Sequence, residues 1–110
     1  MEREFPESDW KTFRELRQVA LERFCKRVLE EVPRFPPDTG RSYHERYLEL
    51  FRWLGERNDD LAQTFDDPRR SQMLWQLAAI HVHGLLEPDA FARFTLQTRE
   101  RIQLIAKEAR

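Results

Sequence analysis

Disulfide bonds within this chain are excluded, because its 110 residues include a single cysteine, Cys25. A lone cysteine suits a reducing compartment, so we expect a cytoplasmic protein. Only three glycines are present and β-branched residues are few, which disfavours an all-β fold. The longest uncharged apolar stretch, residues 77–86, is too short to span a bilayer. The sequence therefore predicts a soluble protein with no membrane partner.

An excess of either charge is also lacking. The formal net charge is −1, from 19 basic and 20 acidic residues, which leaves no overall basic field for nucleic acid. Sixteen of the bases are arginine, which we interpret as the composition of a GC-rich bacterial genome. Arginine also recognises phosphates and carboxylates, so weak nucleic-acid binding through C-terminal arginines stays an alternative. These arginines are Arg69, Arg70, Arg93, Arg99 and Arg101.

Thirteen aromatic residues argue against disorder, because they supply the buried area that disordered chains lack. The length predicts one domain over residues 1–110. Within it, residues 1–7 are expected to form a loose arm. The proline-rich segment 33–41 is expected to be a loop between helices, because prolines and a glycine end one helix before the next begins.

The first predicted helix runs from about residue 9 to 32, with Ser8 as its N-cap and Asp9 in its first turn. Helical spacing gives it one broad apolar face. Arg17 falls on that face, and we expect it to extend outward or to meet a buried carboxylate. The face comprises Trp10, Phe13, Leu16, Ala20, Leu21, Phe24, Cys25, Val28, Leu29 and Val32.

The second predicted helix opens at Ser42, which is spaced with Glu45 as a capping box, and runs to about Arg57. A separate short helix is predicted over residues 59–65. The long helix has one apolar face, which predicts that this face is inward. The face comprises Tyr43, Tyr47, Leu48, Leu50, Phe51 and Leu54.

The third predicted helix begins at Asp67 as N-cap, with Pro68 in its first position, and is the most apolar in the chain. A helix apolar on most sides is usually central in a fold. Pro88 marks the start of a further helix, and Thr95 the cap of the last one. The sequence thus predicts an all-α protein, a compact bundle of four long helices plus one or two short ones.

Residues 81–83, His-Val-His, would suit a metal only on a strand. On a helix the two rings lie about 200° apart, so we predict no metal site. Gly84 is predicted to be the left-handed residue that ends the helix, with Leu85 packed back on Ile80. His81 is then a core residue and His83 an exposed one. Both are candidates to bind the last helical carbonyls, and a pH-sensitive His83 is the alternative.

Two surfaces are candidate sites. Trp53 with Arg46 and Arg57 is a candidate aromatic–cation patch for a partner, since Trp and Arg are enriched at interface hot spots. A polar strip on the third helix is a candidate groove, and it comprises Arg69, Gln72, Gln76 and His83.

The carboxylates, the three histidines and Cys25 form no recognisable catalytic or metal-binding pattern. We therefore expect a non-catalytic binding or assembly module, a homodimer, with no cofactor. The alternative is a small enzyme or ligand-binding protein that uses a groove around His83, Gln76 and Arg69.

Overall fold

The computed structural model describes residues 5–34 and 40–108, and within these ranges the secondary structure is entirely helical. The all-α prediction is therefore confirmed. Residues 1–4 of the predicted arm, residues 35–39 of the predicted loop and Ala109 lie outside the described residues. The helices are α1 (Glu7–Glu31), α2 (Tyr43–Phe65), α3 (Met73–Val82), α4 (Pro88–Phe91) and α5 (Leu96–Glu108), with 3-10 turns at Val32–Arg34 and Arg70–Gln72.

α1 begins earlier than its sequence signals predicted. Its N-cap is Pro6 rather than Ser8, and no side chain bonds the cap. Phe5, in the predicted loose arm, is buried in the core. Arg17 neither extends freely into solvent nor meets a carboxylate, because its Nη2 donates to the backbone carbonyl of Phe65. Arg17 therefore links α1 to the C-terminal end of α2, where helical carbonyls lack intrahelical partners.

α2 confirms its predicted start but not its predicted end. Ser42 accepts from the Glu45 amide and Glu45 accepts from the Ser42 amide, which completes the capping box. The helix then continues through Arg57 to Phe65, so the predicted short helix at 59–65 is its last part. An ion pair of 3.1 Å between Arg57 and Asp60 spans the predicted break. The polar residues 58–60 lie on the outer surface of α2. Polar side chains at such positions do not interrupt the backbone hydrogen bonds of the helix.

α3 begins later than predicted. Asp67 has a left-handed φ of 53° and pairs with Arg69, so it does not act as the N-cap. The 3-10 turn that follows delays the α-helix to Met73. α3 packs against α1, α2 and α5, which confirms its central position. One side of α3 stays open, because Trp75 and Val82 are exposed.

The end of α3 is the predicted Schellman motif. Gly84 has a φ of +68°, its amide bonds the carbonyl of His81, and the Leu85 amide bonds the carbonyl of Ile80 at 3.1 Å. Leu85 is buried. Glycine is favoured here because L-residues, which carry a Cβ, are strained in the left-handed region.

We expect Gly84→Ala to lower the free energy of unfolding by about 1 kcal/mol, because alanine loses stability wherever φ is positive. A Cβ at this position would meet only Arg27 side-chain nitrogens, the nearer at 3.9 Å, so steric overlap adds nothing. Urea denaturation followed by circular dichroism measures the change. Gly55→Ala is the control, since Gly55 lies within α2 with open space around it, and there alanine should stabilise the helix.

The buried carboxylate of Asp9 links α1 to the start of α5 through hydrogen bonds. Asp9 is 1% exposed, although its position in the sequence predicted only a favourable charge in the first turn of α1. It accepts from the Thr95 amide at 3.0 Å, from Thr95 Oγ1 at 2.7 Å and from Thr98 Oγ1 at 2.6 Å. Thr95 Oγ1 in turn accepts from the Thr98 amide, as predicted for the cap of α5. Asp9 thus lies at the N-terminal ends of two helices, both of which favour negative charge.

The molecule is longer than a compact bundle of this size. Its radius of gyration is 17.0 Å and its extents are 59 × 26 × 22 Å, whereas a compact chain of this length has a radius of about 13 Å. The burial along α2 fits this extension. In a helix of 23 residues, only Thr64 and Phe65 are buried. The first part of α2 therefore lies on the outside of the fold.

Candidate interaction surface

The exposed part of α2 carries large apolar side chains on one face. Tyr43 is 85% exposed, Tyr47 64%, Phe51 69% and Leu54 38%, and Leu50 between them is half-buried. We call these five residues the α2 stripe. The sequence pattern predicted that this face would be inward, and the structure corrects that prediction.

The stripe is exposed because α1 covers this face of α2 only in part. Phe24 of α1 packs edge-on against Phe65, with ring centroids 5.9 Å apart. Further along, Leu29 and Leu54 line one groove of about 300 Å³ between the two helices. α1 ends at Glu31. α1 therefore covers the apolar face of α2 near Phe65 but not beyond Leu54 towards the N-terminus of α2.

The predicted aromatic–cation patch lies along one edge of the stripe, but its three residues do not form one cluster. The Arg57 guanidinium lies over the Trp53 ring at 5.9 Å from the centroid. Arg46 instead lies over the Tyr43 ring, at 5.6 Å. Trp53 is half-buried. Both cation–π contacts fix long side chains beside aromatic rings, which reduces the entropy that a partner would have to remove.

A second, smaller apolar area lies on the open side of α3. Trp75 is 62% exposed and Val82 43% exposed, two turns apart on one face. This area contains one large ring, whereas the α2 stripe contains three. Trp75 therefore provides a comparison residue of similar exposure on another part of the molecule.

The predicted polar strip does not converge on a groove. Gln76 is buried, and its Nε2 donates to the carbonyl of Asp66 at 2.7 Å. Arg69 is exposed and paired with Asp67. His83 lies two helical turns from Gln76, about 10 Å along the axis. Gln72 is exposed in the 3-10 turn. The structure thus separates four residues that the helical spacing had placed on one strip.

The histidines lie against aromatic rings. His81 is half-buried and stacks on Phe91 with centroids 5.0 Å apart. His83 is exposed and makes a T-shaped contact with Phe24, with ring centroids 6.3 Å apart. Among the described residues, no three His, Cys, Asp or Glu side chains come together as a possible metal site.

The carbonyls at the end of α3 are bound by arginines of α1, which sequence reasoning missed. Arg27 donates to the carbonyls of His83 at 2.6 Å and Gly84 at 2.8 Å. Arg23 donates to the carbonyl of Leu85 at 3.1 Å. The two arginines are four residues apart on α1, so they share a face. That spacing was the available signal, although nothing in it indicated which carbonyls they would reach.

The C-terminal arginines are interspersed with acids rather than grouped on a basic face. Arg70 pairs with Glu7, and Arg93 pairs with Glu15. The hydrogen bond from Arg93 and its positive charge lower the pKa of the Glu15 carboxyl. Arg99 bonds the carbonyl of Phe94 through its Nε. This arrangement does not favour phosphate binding at these positions.

Comparison with protein-family models, with curated proteins and with solved structures finds no match. No helix in residues 5–34 and 40–108 is long and apolar enough to cross a membrane.

Proposed function

We propose that this protein is a small helical binding and assembly module that associates with itself through the α2 stripe. The observation that carries the proposal is the exposure of three aromatic rings on one face, Tyr43, Tyr47 and Phe51. Single exposed apolar residues are ordinary on protein surfaces, but contiguous ones mark interaction sites. The stripe also continues the face by which α2 packs on its own core, so it has the chemistry of a helix–helix contact.

The alternatives have weaker support. A small enzyme would need His83, Gln76 and Arg69 in one pocket, but the Gln76 amide is engaged with a backbone carbonyl and Arg69 with a carboxylate. Nucleic-acid binding would need unpaired cations, whereas Arg70 and Arg93 are paired with acids. A cytoplasmic protein fits the lone, half-buried Cys25, and an arginine-rich composition fits a bacterial source.

We expect the chain to be dimeric at high micromolar concentration and to dissociate on dilution. Tyr47→Ser should weaken association by about 30-fold or more, because it removes an aromatic anchor from each copy. Sedimentation velocity and light scattering from about 1 to 500 µM measure the dissociation constant. Circular dichroism of the same samples confirms that the variant keeps its helices.

Trp75→Ser is the matched control, because it removes a ring of similar exposure from the open side of α3. It should leave the dissociation constant within about threefold of the unmodified chain, since Trp75 lies outside the stripe. Self-association would be refuted by a monomer throughout the concentration range. Weakening by Trp75→Ser and not by Tyr47→Ser would refute the α2 stripe as the contact surface.

A further inference from the structure

The α2 stripe has the spacing of a coiled-coil seam. Tyr43, Tyr47, Leu50 and Leu54 follow one another at intervals of four, three and four residues, which are the d, a, d and a positions of a heptad. Arg57 occupies the next d position, so the apolar seam ends at Leu54. α1 leaves most of this short seam uncovered and reaches it only at Leu54.

The seam is complementary to itself when two copies run antiparallel. In that arrangement a residues of one helix face d residues of the other. A two-fold axis between residues 48 and 49 places Tyr43 opposite Leu54 of the second copy, and Tyr47 opposite Leu50. Each of the four layers then combines one tyrosine with one leucine. A parallel pair would place like residues together and would stack tyrosine on tyrosine in two of its layers.

The residues beside the seam are compatible with the same register. On one edge, Arg46 falls close to Trp53 of the second copy, which extends the cation–aromatic contacts already present there. On the other edge, His44 falls close to Phe51. The acids of this segment, Glu45, Glu49 and Glu56, lie on the opposite side of the helix, so no carboxylate enters the contact. The cations at this edge are Arg46 and Arg57, and Arg57 is paired with Asp60 of its own chain at 3.1 Å, which offsets its charge beside Trp53.

The second copy would also complete the packing that α1 begins. In the antiparallel register, Tyr43 of the second copy reaches Leu54, at the groove that Leu29 lines. Leu29 is 69% exposed, which leaves an apolar contact open at that point. The second α2 would thus follow α1 along the same face of the first α2.

The apolar area suffices for a weak dimer. An aromatic side chain buries about 150–250 Å², so the exposed fractions of Tyr43, Tyr47 and Phe51 supply on the order of 400 Å² per chain. Two copies thus bury about 800 Å² through these rings, and the leucines bring the total towards the low end of stable interfaces, about 1,200 Å². An interface at this low end of the size range is expected to be weak and to dissociate on dilution.

From these observations we infer that the partner of the α2 stripe is a second copy of this chain, paired antiparallel about an axis between residues 48 and 49. This inference rests on the proposed self-association and adds its orientation and register.

Disulfide trapping tests the register. Tyr43→Cys and Leu54→Cys are made separately in a Cys25→Ser background, and one of them is labelled with ¹⁵N. The two proteins are mixed and oxidised gently with oxidised glutathione, and mass spectrometry distinguishes mixed from like disulfides. The antiparallel register predicts a ratio of mixed to like disulfides at least tenfold above that of random pairing. In this register the two copies of the same cysteine are offset by eleven positions along the helix axis, about 16 Å, which is too far for a disulfide.

Like disulfides in excess would overturn the inference in favour of a parallel pair, while the proposed self-association would stand. A random ratio from a chain that is dimeric by light scattering would show that another surface pairs, and would also overturn it. A monomer at every concentration would refute the proposed function together with the inference.

Because cysteine removes a seam side chain, a spin label at Glu56, outside the seam, gives a second measurement. Two labels should be separated by at least about 22 Å along the axis if the pair is antiparallel, and by almost no axial distance if it is parallel.

Discussion

Asp9→Ala is expected to lower the free energy of unfolding by about 3 kcal/mol. The substitution removes the acceptor of three hydrogen bonds and leaves the Thr95 amide, the Thr95 hydroxyl and the Thr98 hydroxyl without it. Thr98 is fully buried, so water cannot replace the lost carboxylate there. In a domain of this size the loss corresponds to a fall in Tm of roughly 10–20 °C. Thermal and urea denaturation followed by circular dichroism measure both quantities.

Two variants separate the hydrogen bonds from general effects on α1. Asp9→Asn keeps one carbonyl oxygen as an acceptor, so we expect a smaller loss than for alanine. Glu22→Ala removes an exposed acid from the same helix and should change the stability by less than about 0.5 kcal/mol. If Asp9→Ala were as stable as Glu22→Ala, the contact between α1 and α5 would not contribute as the geometry indicates.

The sequence predicted the parts of this fold that depend on neighbours along the chain. The capping box at Ser42 and the Schellman motif at Gly84 are made by residues within five positions of each other, and both are confirmed. Pro88 begins α4 as predicted. Such motifs bring their own hydrogen-bond partners, so spacing is enough to recognise them.

Contacts between distant segments were not predictable in the same way. The sequence predicts Asp9 at a helix start, which the structure confirms, but its partners Thr95 and Thr98 are more than eighty residues away. Helical spacing predicts Arg17 on the apolar face of α1, and yet its partner is a backbone carbonyl, which has no sequence signature. Helical phase gives the side from which a residue projects. It does not give what lies opposite.

Phe65→Ala and Phe51→Ala are expected to differ by about 4 kcal/mol in the stability of the monomer, although the same residue type is removed from the same helix. Phe65 is 1% exposed and packs on Phe24, so losing its ring leaves a cavity that costs about 4 kcal/mol. Arg17 donates to the backbone carbonyl of Phe65, which alanine retains, so the loss reports on the ring. Phe51 is 69% exposed, and its removal should cost less than about 0.5 kcal/mol.

Urea denaturation below about 1 µM, where we expect the chain to be monomeric, measures the two stabilities, and sedimentation at high concentration measures association. Phe51→Ala should weaken association while leaving the monomer stable. A large loss of monomer stability for Phe51→Ala would show that its ring belongs to the core. The two rings project only about 40° apart around α2, so periodicity assigns them to one face. What separates a buried residue from an exposed one on that face is where α1 ends, and this depends on the packing of two helices rather than on the pattern of either one.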